Sequence, residues 1–512
     1  MISKVITATV IGLDSYKVEV ETDFANSLPN VSIVGLPDAS VNEAKERIRS
    51  AIKNSGLSFP TQKVIINLAP AEIRKEGAVF DLAMAVGILI RDNVIEQEAA
   101  KEYAFLGELS LDGNIRGIRG VFPLVLGLKQ AGIKSVIVPS VNAEEAALAE
   151  GISVYGADSL SDIIKHFKDE KSLKQTKIDI KEYLKLNSMN DIIYDFKDVK
   201  GQIKAKKALE IAAAGGHNIL MTGSPGAGKT LMAKCFASIL PPLEIEEALE
   251  LTKIYSISGL LPNKGLVTTR PFRTVHHSAS AVGIIGGGSN PKPGEITLAH
   301  HGVLFLDEMV EFPRHVLENL RQPLEDGEVT ISRANNSIKY PADFILVGAM
   351  NPCPCGYLGD SKQACSCSEY QIQKYRSRLS GPLLDRIDLQ IEVSRLSPEE
   401  LLKTNYEAES SLTIRKRVIE ARKIQSKRYK PYGFFTNSQL NSKLIKQFCK
   451  IDKESEDFLK SAIITFNLSG RAYDRILKLS RTIADLENSE NITKKHISQA
   501  LQYKSYMLEN EA

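Results

Sequence analysis

Residues 217–230, HNILMTGSPGAGKT, run from an apolar β-type stretch directly into a glycine loop that ends in Lys229 and Thr230. This combination restricts the fold more than any other feature, because a strand that empties through glycines into a helix start belongs to an α/β sheet of parallel strands. Glycines at 223, 226 and 228 let backbone N–H groups approach a ligand without Cβ clashes, and the helix N-terminus adds positive potential. The spacing is that of a phosphate-binding P-loop. Its binding set is Gly223, Ser224, Pro225, Gly226, Ala227, Gly228, Lys229 and Thr230, with Lys229 expected at the β/γ-phosphates of ATP and Thr230 at Mg²⁺.

Two later strand patterns extend the reading. GVLFLDE (302–308) is a buried-type strand ending in two carboxylates, the form of a Walker B segment. Asp307 is expected to hold Mg²⁺ and Glu308 to polarise the attacking water, which transfer of a phosphoryl group to water requires. FILVGAM (344–350) delivers Asn351, a neutral side chain able to orient that water. A single strand-end Asp or Asn reads equally well as a cap or turn. Three such strand ends in order behind a P-loop point to an ATPase site.

The chain has 512 residues, 43% hydrophobic and 25% charged, which is too much for one core and predicts about three domains. The start, MISKVITATVIGLD, has no apolar segment followed by a cleavage site, and the apolar run LAMAVGILI (82–90) is too short for a bilayer; a cytoplasmic protein is expected. The net charge of +3 excludes little, but residues 411–450 carry eleven Lys/Arg against the single acid Glu420. Such an excess suits a polyanion, or a solvated helix face or subunit contact, since Val418, Ile419 and Ile424 repeat at a packing interval.

Of six cysteines, four fall in one window as CPC (Cys353, Cys355) and CSC (Cys365, Cys367), nine residues apart. Two close pairs brought together by a loop form a four-thiolate site for structural Zn²⁺, with no open position for catalysis; the alternative is a redox-active or merely polar loop. Cys235 and Cys449 stand alone and read as core residues.

Residues 1–165 alternate strand patterns (KVITATVIGL, YKVEVET, VSIVGL, KVIINLA, YAFLGEL, SVIVP) with helical ones and form an α/β domain. Residues 166–190 are polar and lysine-rich and read as a linker. Residues 191–396 form the nucleotide-binding α/β core, and from 397 to 512 strand patterns vanish behind the cap Ser397-Pro398-Glu399-Glu400, giving a helical lid.

DFKDVKGQIKAKKALEIAAAGGHNILMTGSPGAGKT, RPFRTVHHSAS, PGEITLAHHGVLFLDE, GAMNPCPCG and SGRAYDRILKLSRTIADL, in that order, resemble the Mg-chelatase-like AAA+ ATPases of the ComM and YifB type. The resemblance implies a ring-forming, hexameric ATPase that acts as a DNA helicase. It would drive branch migration in homologous recombination and natural transformation, on single-stranded, forked or branched DNA without sequence preference, alongside recombination proteins. It places Arg386 of LSGPLLDRIDL as an arginine finger reaching the neighbouring subunit, positioned by Asp385, and Arg471 of SGRAYDR as the lid's sensor-2 arginine, with Arg475 as a rival. It also implies pore-facing elements: Arg270 to Gly302, with Arg270, Arg273, His276 and His277 as polar tips, and a hairpin turning near Asn335-Asn336 that carries Arg333. Arg270, Arg273 and Arg333 are the expected DNA contacts. A metal shared by His276, His277, His300 and His301 is disfavoured, because adjacent residues of a strand point opposite ways.

The first domain resembles the processing domain of Lon-type proteases, yet Val79 stands where the nucleophilic serine belongs and Phe122 where the lysine does, so proteolysis is not expected. A protein-remodelling ATPase like the magnesium chelatase motor subunit remains the alternative to a DNA motor. That subunit lacks both the Lon-like domain and the CPC/CSC loop.

Overall fold

The computed structural model of the chain describes residues 2–187, 193–261, 265–288, 291–332, 337–360, 362–397, 408–466 and 468–503. The chain divides into Met1–Asn187 with Glu244–Thr268, and Ser188–Leu243 with Thr269–Ala512.

The first unit is built on strands β1 (Ser3–Ile11), β2 (Asp14–Ala25), β3 (Val31–Val34), β4 (Lys63–Ala69), β5 (Tyr103–Phe105), β8 (Ser135–Pro139), β9 (Ser153–Ala157) and β10 (Gln175–Thr176), with β6 (Glu108–Leu109) and β7 (Ile115–Arg116) as a separate pair. The eight-stranded sheet runs β10-β9-β8-β5-β1-β2-β4-β3. Alternation sets its faces: Val64, Ile66 and Leu68 of β4 are buried while their neighbours are half-exposed. Helix Ala39–Asn54 starts where the Asp38 carboxylate accepts from the Val41 N–H, and buries Val41, Ala44, Ile48, Ala51 and Ile52 at helical spacing.

The expected linker at 166–190 is corrected. Helix Leu160–Phe167 crosses its start, β10 pairs antiparallel with β9, and helix Ile180–Asn187 follows. Among the described side chains of that helix, Ile180 and Leu184 are the buried hydrophobics, too few to stand out from the lysines around them. The nucleotide core is also not continuous from 191 to 396. Residues 244–268 belong to the first unit, where helix Ile245–Ser258 lies and the Ser256 hydroxyl donates to Glu145 at 2.5 Å.

The second unit holds β11 (Ile219–Thr222), β12 (Phe272–Val275), β15 (Val303–Leu306), β18 (Ile345–Met350) and β19 (Leu389–Glu392) in one sheet, order β12-β15-β18-β11-β19, with every pairing parallel. Two hairpins accompany it, β13 (Gly286–Gly287) with β14 (Lys292–Pro293) and β16 (Glu328–Ser332) with β17 (Ser337–Pro341). The three central strands β15, β18 and β11 are buried at every position, as strands covered on both faces must be. Helices Ser411–Tyr429, Lys453–Thr465, Gly470–Leu486 and Lys494–Gln502 share the sheet's core, where Ile414, Val418, Ile476 and Ile483 join Ile219, Met221 and Phe305. The expected cap at Ser397-Pro398-Glu399-Glu400 runs into residues 398–400, outside the described ones. Among the described residues no helix is long and apolar enough to cross a membrane.

Candidate active site

Because the five strands are parallel, their C-terminal ends lie along one edge, and the motif residues follow those ends. Thr222 of β11 leads into the glycine loop, Leu306 of β15 into Asp307 and Glu308, and Met350 of β18 into Asn351. Gly226 (φ 79°) and Gly228 (φ 91°) occupy the left-handed region, which a Cβ disfavours. Gly223 is constrained differently: a Cβ there would sit 2.2 Å from the Val393 carbonyl oxygen just beyond β19.

Lys229 is the first residue of helix Lys229–Ser238. Its amine donates to the carbonyls of Gly223 at 2.5 Å and Ser224 at 3.1 Å, and to Asn351 Oδ1 at 3.2 Å. Burial pushes this amine below the usual lysine range, against the opposing pull of Asp307 and Glu308. The Thr230 hydroxyl donates to Asp307 Oδ2 at 2.8 Å, so the two expected Mg²⁺ ligands already share one position. Glu308 has a left-handed backbone (φ 50°), its N–H bonds Asp307 Oδ1 at 3.0 Å, and its carboxylate lies 3.4 Å from His277 Nδ1. These groups can hold a Mg–nucleotide and place a carboxylate beside it.

Arg386 stands differently. It is only 8% exposed, donates to the Pro382 carbonyl at 2.7 Å and forms an ion pair with Glu325. Glu325, not Asp385, is the carboxylate brought to it. Burial, then the neighbouring Arg321, Arg471 and Arg475, push its guanidinium below the usual arginine range. Arg471 is exposed in the first turn of helix Gly470–Leu486. One turn on, Arg475 lies 3.5 Å from Asp388 Oδ1, while Asp474 accepts from the Ser442 hydroxyl.

Asp388 opens a buried network that reading of the sequence missed. His217 Nδ1 lies 3.1 Å from its Oδ2, and His217 Nε2 lies 2.7 Å from the Thr482 hydroxyl. Burial raises the Asp388 carboxyl, but Arg475 and His217 outweigh it and hold it well below the usual carboxylate range. His217 stands two residues before the P-loop strand and Asp388 two after Arg386, the only signals that the sequence offers.

The expected DNA contacts are corrected in two cases. Arg270 donates to the carbonyls of Pro241 (2.7 Å), Pro242 (3.2 Å) and His301 (2.7 Å). Arg273 lies on β12, a strand of the sheet, and grips Glu295 with two bonds at 2.6 and 2.8 Å. Both arginines tie the segment down instead of tipping it, because a half-buried guanidinium needs local acceptors. Arg333 lies outside the described residues, as does the turn at 335–336; the flanking β16 and β17 form the hairpin. The histidine pairs also differ from expectation: rings of His276 and His277 lie 4.1 Å apart and those of His300 and His301 3.8 Å, since both pairs follow the ends of elements and escape strand alternation.

In the basic stretch 411–450 the arginines face inward. Arg417 pairs with Glu210 and Glu409, Arg422 donates to the Ala213 carbonyl, and Arg428 pairs with Asp485 at 2.7 Å. The exposed cations are Lys416, Lys423, Lys427, Lys430, Lys443, Lys446 and Lys450.

The four clustered cysteines converge. Cys353 Sγ lies 3.4 Å from Cys355 Sγ and 3.6 Å from Cys365 Sγ, Cys355 and Cys365 lie 3.5 Å apart, and all four sulfurs fall within 4.8 Å of one another. Four sulfurs on a tetrahedral Zn²⁺ at about 2.3 Å stand about 3.8 Å from each other, so the set fits this ion and is too wide for disulfides. The Cys355 N–H points at Cys367 Sγ and the Cys367 N–H at Cys365 Sγ, both at 3.4 Å, which favours thiolates. Cys235 and Cys449 are buried, as expected of core residues.

In the first unit, Val79 is half-buried, and Phe122 is buried with its N–H donating to Glu145 at 2.9 Å. Neither side chain supplies a nucleophile or a base.

Comparison with known proteins agrees with this geometry. Residues 195–401 match the family described as magnesium chelatase, subunit ChlI, residues 20–142 match subunit ChlI of Mg-chelatase, and residues 408–504 match the magnesium chelatase subunit ChlI C-terminal family. The chain is 42% identical to competence protein ComM of Haemophilus influenzae over 96% of both chains. It is 41% identical to the uncharacterized protein YifB of Escherichia coli, over 98% of this chain and 97% of the other. Likeness to the magnesium-chelatase 38 kDa subunit of Rhodobacter capsulatus is lower, 26% over 41% of this chain and 58% of that one. With the P-loop, paired carboxylates and Asn351 at adjacent strand ends, the chain belongs to the ComM/YifB family of Mg-chelatase-like AAA+ ATPases, which use a nucleotide and Mg²⁺.

Proposed function

We propose that this protein is an ATP-driven, ring-forming DNA motor, a helicase that moves branch points during homologous recombination and natural transformation. The observation that carries the reading is end-to-end likeness to a competence protein, in a chain where Lys229 bonds Asn351 and Thr230 bonds Asp307 at neighbouring strand ends. Lys229 binds the β/γ-phosphates, and Thr230 and Asp307 hold Mg²⁺, which when bound neutralises phosphate charge. Glu308 takes the proton of the attacking water and Asn351 orients that water. Arg386 serves the neighbouring subunit's γ-phosphate and Arg471 acts from the helical region, so turnover depends on assembly into a hexamer. For Arg386 to reach across, the Glu325 pair must open. The exposed lysines between 416 and 450 and the hairpin bearing Arg333 supply cations for sequence-independent contact with DNA phosphates. The four cysteines hold a structural Zn²⁺. The cytoplasm is the compartment consistent with free thiols.

The match to magnesium chelatase families supports a second reading, a motor that remodels a protein partner. One experiment separates the two: ATP hydrolysis with no DNA, single-stranded, forked and three-stranded DNA, with strand displacement followed in parallel. Stimulation by forks with ATP-dependent displacement is expected. Hydrolysis indifferent to every DNA, with no displacement, would favour the chelatase-like reading.

A further inference from the structure

The cysteine loop lies against the phosphate loop as well as against itself. Cys353 follows Asn351 by two residues and is fully buried. Gly356, within the loop, has φ 87°, and a Cβ there would lie 2.7 Å from Pro225 Cδ and 2.8 Å from Pro225 Cγ, with Asn351 Cγ at 3.9 Å. Backbone at 356 therefore rests directly on the third residue of the P-loop, at a distance only glycine permits. Farther along, Asp360 Oδ1 accepts from the N–H groups of Lys362 (2.8 Å) and Gln363 (3.1 Å), which fixes the carboxylate. Its other oxygen is buried and makes no well-formed hydrogen bond, yet the nearby Ser224 hydroxyl is the largest influence holding the carboxyl below its usual range. After the second cysteine pair, helix Glu369–Arg376 returns to the strand end, where Arg376 Nε donates to the Pro352 carbonyl at 3.3 Å. The segment thus rests on Pro225 and on the backbone beside Asn351, groups that shape the phosphate site, with Asp360 near Ser224.

A short loop with few buried apolar side chains does not hold such a position by packing. Four ligands around one ion do, because coordination removes the loop's freedom in a single step.

We propose that Zn²⁺ at Cys353, Cys355, Cys365 and Cys367 is a clasp on the P-loop: the metal fixes the loop whose Gly356 rests on Pro225 and whose Asp360 stands near Ser224, so nucleotide affinity depends on metal occupancy. This rests on the zinc assignment made above. The clasp acts by positioning and touches no reacting atom.

The test uses the full chain. Zinc is counted by elemental mass spectrometry, and the dissociation constant of a fluorescent ATP analogue is measured in Mg²⁺ buffer. The samples are wild type, wild type stripped with a thiol-competing chelator, stripped protein given Zn²⁺ again, Cys365→Ser and Asp360→Ala. Wild type is expected to hold about one zinc per chain. Stripped protein and Cys365→Ser should bind the nucleotide about tenfold more weakly, with Zn²⁺ restoring only the former. Asp360→Ala should keep its zinc and still bind at least about threefold more weakly. Should Cys365→Ser not fold, reversible stripping and Asp360→Ala carry the test with all four ligands intact. Zinc below about 0.2 per chain in wild type overturns the metal assignment and the clasp together. About one zinc per wild-type chain, with affinity unchanged in either the stripped protein or Asp360→Ala, overturns the clasp and leaves the metal assignment standing.

Discussion

The two halves of the proposed catalytic apparatus are held in opposite ways. Lys229 touches Asn351 at 3.2 Å and Thr230 touches Asp307 at 2.8 Å, because neighbouring parallel strands end side by side. Arg386 is turned into its own chain, where Glu325 and the Pro382 carbonyl occupy its guanidinium. The phosphate side is preorganised within one chain, and the arginine side is stored. A P-loop site serves whichever nucleotide arrives, whereas a cation that serves a neighbour, as proposed for Arg386, has no complete environment until that neighbour is present, and a half-buried guanidinium takes the acceptors at hand.

The comparison breaks most decisively at Arg386. Arg386→Ala should lower turnover by about 10³-fold while leaving nucleotide affinity unchanged, the size of effect expected of a cation acting on the transition state from outside the site. Normal hydrolysis by this variant would remove it from the reaction. On the preorganised side, Glu308→Gln should lower turnover by about 10²-fold or more with ATP still bound, measured by steady-state hydrolysis and by binding of a labelled nucleotide. Loss of binding instead would mean that Glu308 shapes the pocket more than it handles water.

Asp388 joins the two halves through Arg475 and His217, so Asp388→Asn should destabilise the second unit by about 3 kcal/mol near neutral pH. The native carboxyl is held below its unfolded value, so its contribution is complete above about pH 4 and fades as pH falls through the lower native value. Unfolding curves for wild type and variant should therefore converge in acid; a gap that stays constant with pH would place the effect in packing. The smallest effect belongs to Glu325. Releasing Arg386 by Glu325→Gln should raise turnover at limiting protein concentration about two- to fivefold, the worth of a half-exposed ion pair. Unchanged turnover across a concentration series would show that the pair imposes no barrier to assembly.

Legibility followed the range of the interactions. The P-loop was readable because its glycines, lysine and threonine act through backbone geometry within a few residues of one another. Asp307 and Asn351 were readable because each follows an apolar strand by one position. The antiparallel pairing of β16 with β17 agrees with the hairpin expected around Asn335-Asn336. Where one local pattern had two meanings, the reading failed. Arg270 and Arg273 looked like mobile cations among glycines and prove to be anchors to carbonyls and to Glu295. The lysine-rich stretch at 166–190 looked unstructured, although Ile180 and Leu184 are enough to seat a short helix.

By itself the sequence determined the α/β core, the order of its motif-bearing strand ends, the nucleotide chemistry and the family, since each rests on short spacings that few folds can satisfy. Tertiary structure alone decided that Arg386 lies against Glu325, that His217 meets Asp388 and Thr482, and that the cysteine loop rests on Pro225. The partners in the first two pairings lie 61, 171 and 265 residues apart in the chain. No local pattern encodes such a pair, because only packing of the whole unit brings the two residues within reach of one another.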